Sequence, residues 1–584
     1  MSVGPQVQEN TGAPPQKRWC LAQPDDGKVR VLIHELGVSL VLARLLVTRG
    51  VEDVESARRF LHPSLSDLHD PRDLAGVDEA VSRIMAALQQ GDRMCVFGDY
   101  DVDGITSVVL LVRVLTHLGG TVDWYIPHRL EEGYGLNASA VDRIIESGAK
   151  LIITSDCGIS GKAEVERAAE RGVDVVVTDH HEPGSSYPDT AVAVVDPRRS
   201  DCEYPFGELS GVGVVFKVLQ VLLGEMGHPP GPSGLHPLLE ESLDIVALGT
   251  IADVVPLVGE NRVLASVGLE KLAETRNVGL RALMRVAGVR REKVGSTRVS
   301  FGLAPRLNAV GRLKDAGAGV RLLLTDDPAE AARLADELNQ ANSSRQGLEA
   351  DVLEEALGML DDGPLPPFIV LASDGWHPGV IGVVASRLVE RFYRPVLLIA
   401  LDGDMGKGSG RSITGFHLLS ALESCAEHLM DFGGHAMAAG VTMTRDQIEG
   451  LSAALAEVAA QALTAEDMVP TLNVDARVSL DEIDDHLMEA VTALAPHGSH
   501  NRKPVFMSCG LEVAGCPKVV GKNHLKLGVR EQSKVLEAIG FRLGEQLPIA
   551  EAGNVDVAYS IEYNDWRGRR SIQLTLKDIR PSSS

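Results

Sequence analysis

Six side chains able to ligate a metal stand where four short apolar segments end. Met94–Phe97 runs into Gly98-Asp99-Tyr100-Asp101-Val102-Asp103-Gly104, and Leu151–Ile153 runs into Thr154-Ser155-Asp156. Val175–Val177 runs into Thr178-Asp179-His180-His181, and Ile245–Leu248 runs into Gly249-Thr250-Ile251-Ala252-Asp253. Brought together, Asp99, Asp101, Asp103, Asp156, His180 and Asp253 would repel by about 1 kcal/mol per carboxylate pair at 4 Å in water, and by more where water is scarce. A divalent cation removes that conflict, and this many ligands suits two. Asp, His and water are donors for Mn²⁺ or Mg²⁺, and the absence of a Cys ligand pattern argues against structural zinc.

Any one of these acids alone has an ordinary reading, since an Asp after a strand is commonly a helix cap or a turn residue. Asp99, Asp101 and Asp103 stand out because alternate residues of an extended chain share one face. Gly104 and the helix-like Ile105–Leu118 follow them. The Asp179-His180-His181 triplet is costly to a core unless something binds it.

The elements that would position these groups are short β-branched runs alternating with helix-length stretches, the pattern of parallel strands in an α/β sheet. Ligands of such sheets sit beyond the carboxyl ends of the strands, so four strand ends would aim at one place. Residues 1–18 read as a polar, disordered tail, and 19–324 as the α/β domain. Residues 325–367 read as a long connecting helix, opened by Pro328, with a linker; Leu334, Leu338, Ala341, Leu348, Val352 and Met359 keep helical spacing. A second, smaller α/β domain follows at 368–463. Short strands and turns at 464–584, such as His524–Arg530 and Ser571–Leu576, suit a small β-rich module.

At these motifs the chain resembles the DHH superfamily of phosphoesterases. Gly98–Gly104, Asp156-Cys157-Gly158, Asp179-His180-His181 and Gly249–Asp253 match its four motifs. Trp376–Ser386, Gly408–Ser412 and Gly433–Gly440 resemble the associated DHHA1 domain. Ala304–Arg312, with Ile126–Arg129 through Glu132–Gly135, resembles the RecJ branch. The resemblance runs from about Trp19 to the C-terminus and lacks no metal ligand. It implies an OB-fold for the last module and a single-strand-specific 5′ to 3′ DNA exonuclease that releases mononucleotides in repair and recombination. Two Mn²⁺ or Mg²⁺ ions would be the cofactors. His181 would contact phosphate or assist the leaving oxygen. Single-stranded DNA would be the substrate, with single-strand-binding protein and a helicase as further partners.

The remaining candidates face substrate. Gly406–Ser412, with Ser409 and Arg411, lets backbone approach an anion while Arg411 offers a bidentate fork; its ordinary reading is a tight turn. His435 behind Gly433-Gly434 can reach a phosphate or cap an Ala-rich helix after it. Arg306, Asn308 and Arg312 form a substrate cluster or a structural one. Arg129 follows the strand-like Val122–Ile126 and could meet a terminal phosphate. In the β-rich module Lys522 and Lys526, with Lys518 and His524, form one cationic group, and Trp566 with Arg567, Arg569 and Arg570 another. Barrels with basic grooves and stacking side chains bind single strands without sequence preference.

Composition bounds the rest. A net charge of −25 over 584 residues argues against a protein that coats nucleic acid with its whole surface, and favours local capture of a strand. No run approaches the roughly 18 apolar residues of a membrane span, and seven scattered cysteines without a CxxC imply reduced thiols in a cytosol. Two other readings use the same residues: a DHH phosphodiesterase for cyclic dinucleotides or short oligonucleotides, and a noncatalytic replication scaffold, which should have lost ligands.

Overall fold

The computed structural model describes residues 16–128, 132–133, 135–184, 187–228, 230–313, 317–360, 364–566 and 569–582. The chain divides into two compact units. One consists of Asp25–Ser343 and Ala490–Lys503; the other takes Ser344–Glu489, Pro504–Ser584 and the segment up to Pro24.

The first unit is built on a five-stranded parallel sheet. The strand Arg93–Gly98 lies between Thr121–Tyr125 and Leu151–Ser155, and Asp174–Thr178 and Ala193–Val195 continue the sheet from the latter. The central strands are buried along nearly their whole length, which is why they read as apolar runs rather than as alternating patterns. Helices cover the sheet, among them Val102–His117, almost wholly buried, and Gly211–Glu225, which packs against it.

Ile245–Leu248 is not a strand. It lies in the helix Leu243–Ala252, in which every residue up to Ile251 is buried. A helix enclosed on all sides shows no polar stripe, so its short apolar run mimics a buried strand in the sequence. The site therefore lies beyond three strand ends and one helix end.

The second unit contains a five-stranded sheet in which Met405–Arg411 is flanked by Val396–Asp402 and Ala438–Thr444. Its C-terminal part is a closed barrel. Phe506–Val520 pairs with both His524–Glu531 and Asn554–Trp566, and the ring is completed by Lys534–Gly540 and Arg569–Pro581. The connecting helix is Pro328–Gly358, as its spacing predicts.

Two segments depart from a division into consecutive domains. The expected tail ends earlier than Arg18: Arg18–Leu21 is a strand paired in parallel with Thr471–Val474, and Trp19 Nε1 donates to Asp578 at 2.7 Å. Residues 1–15 lie outside the described residues. Ala490–Lys503 belongs to the first unit, where the fully buried Arg262 donates to the carbonyls of Leu494, Ala495 and Pro496 at 3.1, 2.7 and 3.4 Å.

Candidate metal centre

The three acids of the first motif do not share the face of an extended strand. The strand ends at Gly98, and the chain turns through Asp99 and Asp101 into a helix whose first turn holds Asp103. Asp101 caps that helix, its Oδ1 accepting from the N–H groups of Asp103 (2.9 Å) and Gly104 (3.1 Å). Gly104 is required because a Cβ there would collide with the backbone of Asp99. Asp103 accepts from the N–H groups of Gly211 (2.6 Å) and Val212 (2.9 Å) at the start of another helix. Convergence of the three acids comes from a tight turn and two helix N-termini, not from strand alternation.

His180 shows most directly what the cluster is for. Its Nδ1 donates to the Leu209 carbonyl at 3.0 Å, so the lone pair of the neutral ring sits on Nε2. Nε2 lies 3.0 Å from Asp156 Oδ1, 3.6 Å from Asp253 Oδ2 and 3.9 Å from Asp103 Oδ2. His180 Nε2 and Asp156 Oδ1 are both buried and neither makes a hydrogen bond. A lone pair facing three carboxylates fits a cation held between them. Ligand atoms fall within 4.8 Å of one another in three overlapping groups: Asp103 with His180 and Asp253; Asp99 with Asp101 and Asp156; and Asp156 with His180 and His181.

The electrostatics agree. Burial, then the Asp101 charge, pushes the Asp103 carboxyl up to about 7. Burial and the neighbouring acids raise Asp156 and Asp253 well above the ordinary carboxylate range. Burial, with His181 beside it, lowers His180 to about 4, so the ring stays neutral and able to ligate. Carboxylates arranged against one another in this way resist ionisation until a cation is present.

This sets an expected pH dependence. An acid whose folded pKa is raised contributes stability that is fully present below its unfolded value, near 4, and is lost as pH rises through the folded value. For Asp103 that window runs from about 4 to about 7. Bound Mn²⁺ needs the ionised forms, so its stabilisation should grow over the same window. The rise in melting temperature on adding Mn²⁺ should be severalfold larger at pH 8 than at pH 5.5; an equal rise at both would show that these acids are not the ligands.

Asp179, which the sequence marks only as part of the Asp-His-His triplet, orders the loop in which it lies. Its Oδ1 accepts from the His180 N–H and from His181 Nδ1, each at 2.8 Å, and its Oδ2 from the Ile159 N–H at 2.9 Å. It shapes the loop that presents both histidines. Asp196, at the end of the fifth strand, is fully buried and pushed up to about 7 chiefly by burial. Only the Asp-His-His triplet hinted at the first, and nothing local marked the second.

The substrate-facing candidates fall in both units. In the first, Arg306 donates from Nε to Asn339 Oδ1 (3.0 Å) and from Nη1 to the Gly302 carbonyl (2.6 Å), and Asn308 Oδ1 is buried without a hydrogen bond. Arg129 lies outside the described residues, as do the side chains of Arg312 and Trp566. In the second unit Arg411 donates to Ser409 Oγ at 3.1 Å, and a Cβ on Gly382 would stand 2.8 Å from that Oγ and 2.9 Å from Arg411 Nη2. His435 is exposed in the turn between two strands, so the Ala-rich segment after it is a strand and not a helix to cap. Lys526 pairs in register with Lys518 and lies 3.3 Å from Glu537, while Lys522 is exposed in the adjoining turn. Arg570 lies 3.6 Å over the Tyr563 ring.

Comparison with known proteins accords with this geometry. The DHH family N-terminal domain matches residues 93–250, the DHHA1 domain 365–461 and the RecJ OB domain 474–578. The chain is 41% identical over 570 residues to the single-stranded-DNA-specific exonuclease RecJ of Bacillus subtilis, covering 97% of this chain and 71% of that protein. It is 36% identical to the Escherichia coli RecJ, covering 93% of this chain and 96% of that one. Thermus thermophilus RecJ in complex with Mn²⁺ superposes with a TM-score of 0.83 at 33% identity, covering 97% of this chain and 80% of that one. The same protein has a structure in complex with Mg²⁺, with a TM-score of 0.77. The cluster of carboxylates around a neutral histidine, on a DHH sheet joined to DHHA1 and RecJ OB domains, places this chain in the RecJ family of single-stranded-DNA-specific exonucleases.

Proposed function

We propose that the chain hydrolyses single-stranded DNA from the 5′ end and releases 5′-mononucleotides. The observation that carries this reading is the lone pair of His180 Nε2 facing Asp103, Asp156 and Asp253, an arrangement that a divalent cation satisfies. Asp99, Asp101, Asp103, Asp156, His180 and Asp253 would hold two Mn²⁺ or Mg²⁺ ions. When bound, such ions supply Lewis acidity and water of lowered pKa for in-line attack on phosphorus.

The chain's own residues do the rest. Asp101 and Asp103 are fixed by backbone N–H groups and so keep their places as charge moves. Asp179 engages His181 Nδ1, so Nε2 is the nitrogen that can face the scissile phosphate. Burial opposes a charge on His181, yet its bond to Asp179 and the charges of Asp179, Asp101 and Asp103 together outweigh it and raise its pKa, which suits a group that gives a proton to the leaving oxygen. Arg306, Asn308, Arg312, Arg129, Ser409, Arg411 and His435 would contact the strand, and the barrel would add Lys522, Lys526 and Trp566.

The domain limits proposed are those read from the sequence, amended by the strand at Arg18–Leu21 and by the segment Ala490–Lys503. Reduced thiols, with all seven cysteines unpaired, support a cytoplasmic protein, and the strand substrate supports encounters with single-strand-binding protein and a helicase. Among the described residues, no helix is long and apolar enough to cross a membrane.

Oligonucleotides labelled at either end, offered with Mn²⁺, Mg²⁺ or chelator, test the polarity. A 5′-labelled linear strand should yield labelled mononucleotide at once, while a 3′-labelled one shortens progressively. Circular single strands and blunt duplexes should resist by at least tenfold. Efficient cutting of circles would make the activity endonucleolytic.

A further inference from the structure

The helices Val102–His117 and Leu243–Ala252 each carry a metal-centre acid at one end, Asp103 on the first and Asp253 just beyond the second. They touch closely beside that centre: a Cβ on Gly249 would stand 3.0 Å from Asp103 Oδ1. At their other ends they line one cavity of about 530 Å³, the first through Arg113 and the second through Asp244. At 1.5 Å per residue, Arg113 lies roughly 15 Å along its helix from Asp103, and Asp244 a similar distance from Asp253. The cavity is therefore separate from the metal centre but shares its two supporting helices.

Its wall is pre-built. Thr275 Oγ1 donates to the buried Asp244 carboxylate at 2.5 Å and accepts from the Asn277 N–H at 3.1 Å, and Asn277 Nδ2 donates to the Leu323 carbonyl at 2.8 Å. Lys271 is held by Glu240 at 2.6 Å. Arg113 and Arg276 line the same space, and the Arg113 charge favours the ionised form of Asp244 beside it. Leu324 gives it an apolar side, with Leu323 almost wholly buried behind it. Glu241 and Asp326 supply exposed carboxylates, and Glu274, on the same lining, is paired with Arg291 at 3.8 Å. The volume falls in the range of roughly 300–1,000 Å³ typical of small-molecule sites.

Of the four carboxylates on the lining, Asp244 is engaged by Thr275 and Glu274 by Arg291, so the ligand must match two arginines, the carboxylates of Glu241 and Asp326, and the apolar side at Leu324. We propose that this cavity is a second, noncatalytic site for a nucleoside 5′-monophosphate, and that its occupancy is transmitted to the metal centre along the two helices. The phosphate takes the forks of Arg113 and Arg276, the planar base lies on Leu324, and Glu241 and Asp326 accept its N–H groups. A base with several donors on one edge, such as guanine, satisfies both carboxylates, and thymine does not.

The test uses the full chain and labelled dGMP in equilibrium dialysis, with chelator present. It reads binding, so it stands whether or not the strand polarity proposed above holds. One equivalent should bind per chain, and more tightly than dTMP or inorganic phosphate. Arg276→Glu, at an exposed position, should weaken it at least tenfold, as should Arg113→Met; if the half-buried Arg113 variant fails to fold, Arg276→Glu decides alone. Arg411→Ser, in the other unit, should leave it unchanged. Binding free energies are reciprocal, so saturating dGMP should also shift the Mn²⁺ affinity of the wild type by threefold or more, and not that of Arg276→Glu. No binding, equal binding of phosphate, indifference to Arg276→Glu, loss on Arg411→Ser, or an unmoved Mn²⁺ affinity would each overturn the proposal.

Discussion

Asp156→Ala and Asp253→Ala should each lower the hydrolysis rate by roughly 10³-fold or more, about 4 kcal/mol in the barrier, while the protein stays folded. Both carboxylates lie within 4 Å of His180 Nε2, and each belongs to a group able to hold an ion. Losing one ligand displaces an ion and with it both the activated water and the charge stabilisation. Neither side chain packs an apolar core; burial first, and then the repulsion of neighbouring acids, disfavours the charge of each. Without metal, the variants should therefore melt at or above the wild-type temperature, and added Mn²⁺ should stabilise them less. Turnover on a single-stranded oligonucleotide, with melts in chelator and in Mn²⁺, separates the outcomes. Near-normal turnover would remove that residue from the metal site, and a melt far below wild type in chelator would give it a structural task instead.

The candidate ligands are legible in the sequence because a metal centre needs acids and a histidine at the ends of buried elements, and such residues are rare inside a core. Their positioning was less so. Asp99, Asp101 and Asp103 converge through a tight turn and through N–H groups donated by Gly211 and Val212, contacts more than a hundred residues apart in the chain. Ile245–Leu248, inside the helix Leu243–Ala252, reads as a strand because burial on every side erases the helical stripe. Asp179 left its role hidden since a carboxylate that ligates and one that orients a histidine look alike in one dimension. The cavity beside Arg113 leaves no trace at all: its wall is assembled from four separate stretches of the chain. The attachment of Ala490–Lys503 to the first unit was equally invisible, because Arg262 holds it by backbone carbonyls, and every residue has one.

That attachment makes the point of truncation decisive. A chain ending at Lys503 keeps the carbonyls of Leu494, Ala495 and Pro496 for Arg262, the Ser499 carbonyl for the Leu257 N–H (2.9 Å), and the His497 carbonyl for Ser296 Oγ (2.6 Å). It loses the closed barrel, where each stacked base is worth roughly 1–3 kcal/mol. Strand binding should fall, KM should rise at least tenfold with kcat within a few-fold, and the salt dependence of binding should flatten as phosphate contacts disappear. A chain ending at Pro470 loses those acceptors as well. The Arg262 guanidinium, 2% exposed, then keeps the Phe60 carbonyl at 2.7 Å but none of the three carbonyls of Leu494, Ala495 and Pro496, and a buried charge stripped of partners costs about 3–5 kcal/mol. This shorter chain should melt well below the longer one and lose Mn²⁺ binding with its fold. Arg262→Met in the full chain isolates the same effect, since it keeps the volume and removes the donors; it should lower stability by about 3 kcal/mol. Equal melting of the two truncated chains would dismiss the anchor, and a normal KM with collapsed kcat in the chain ending at Lys503 would place the barrel in catalysis.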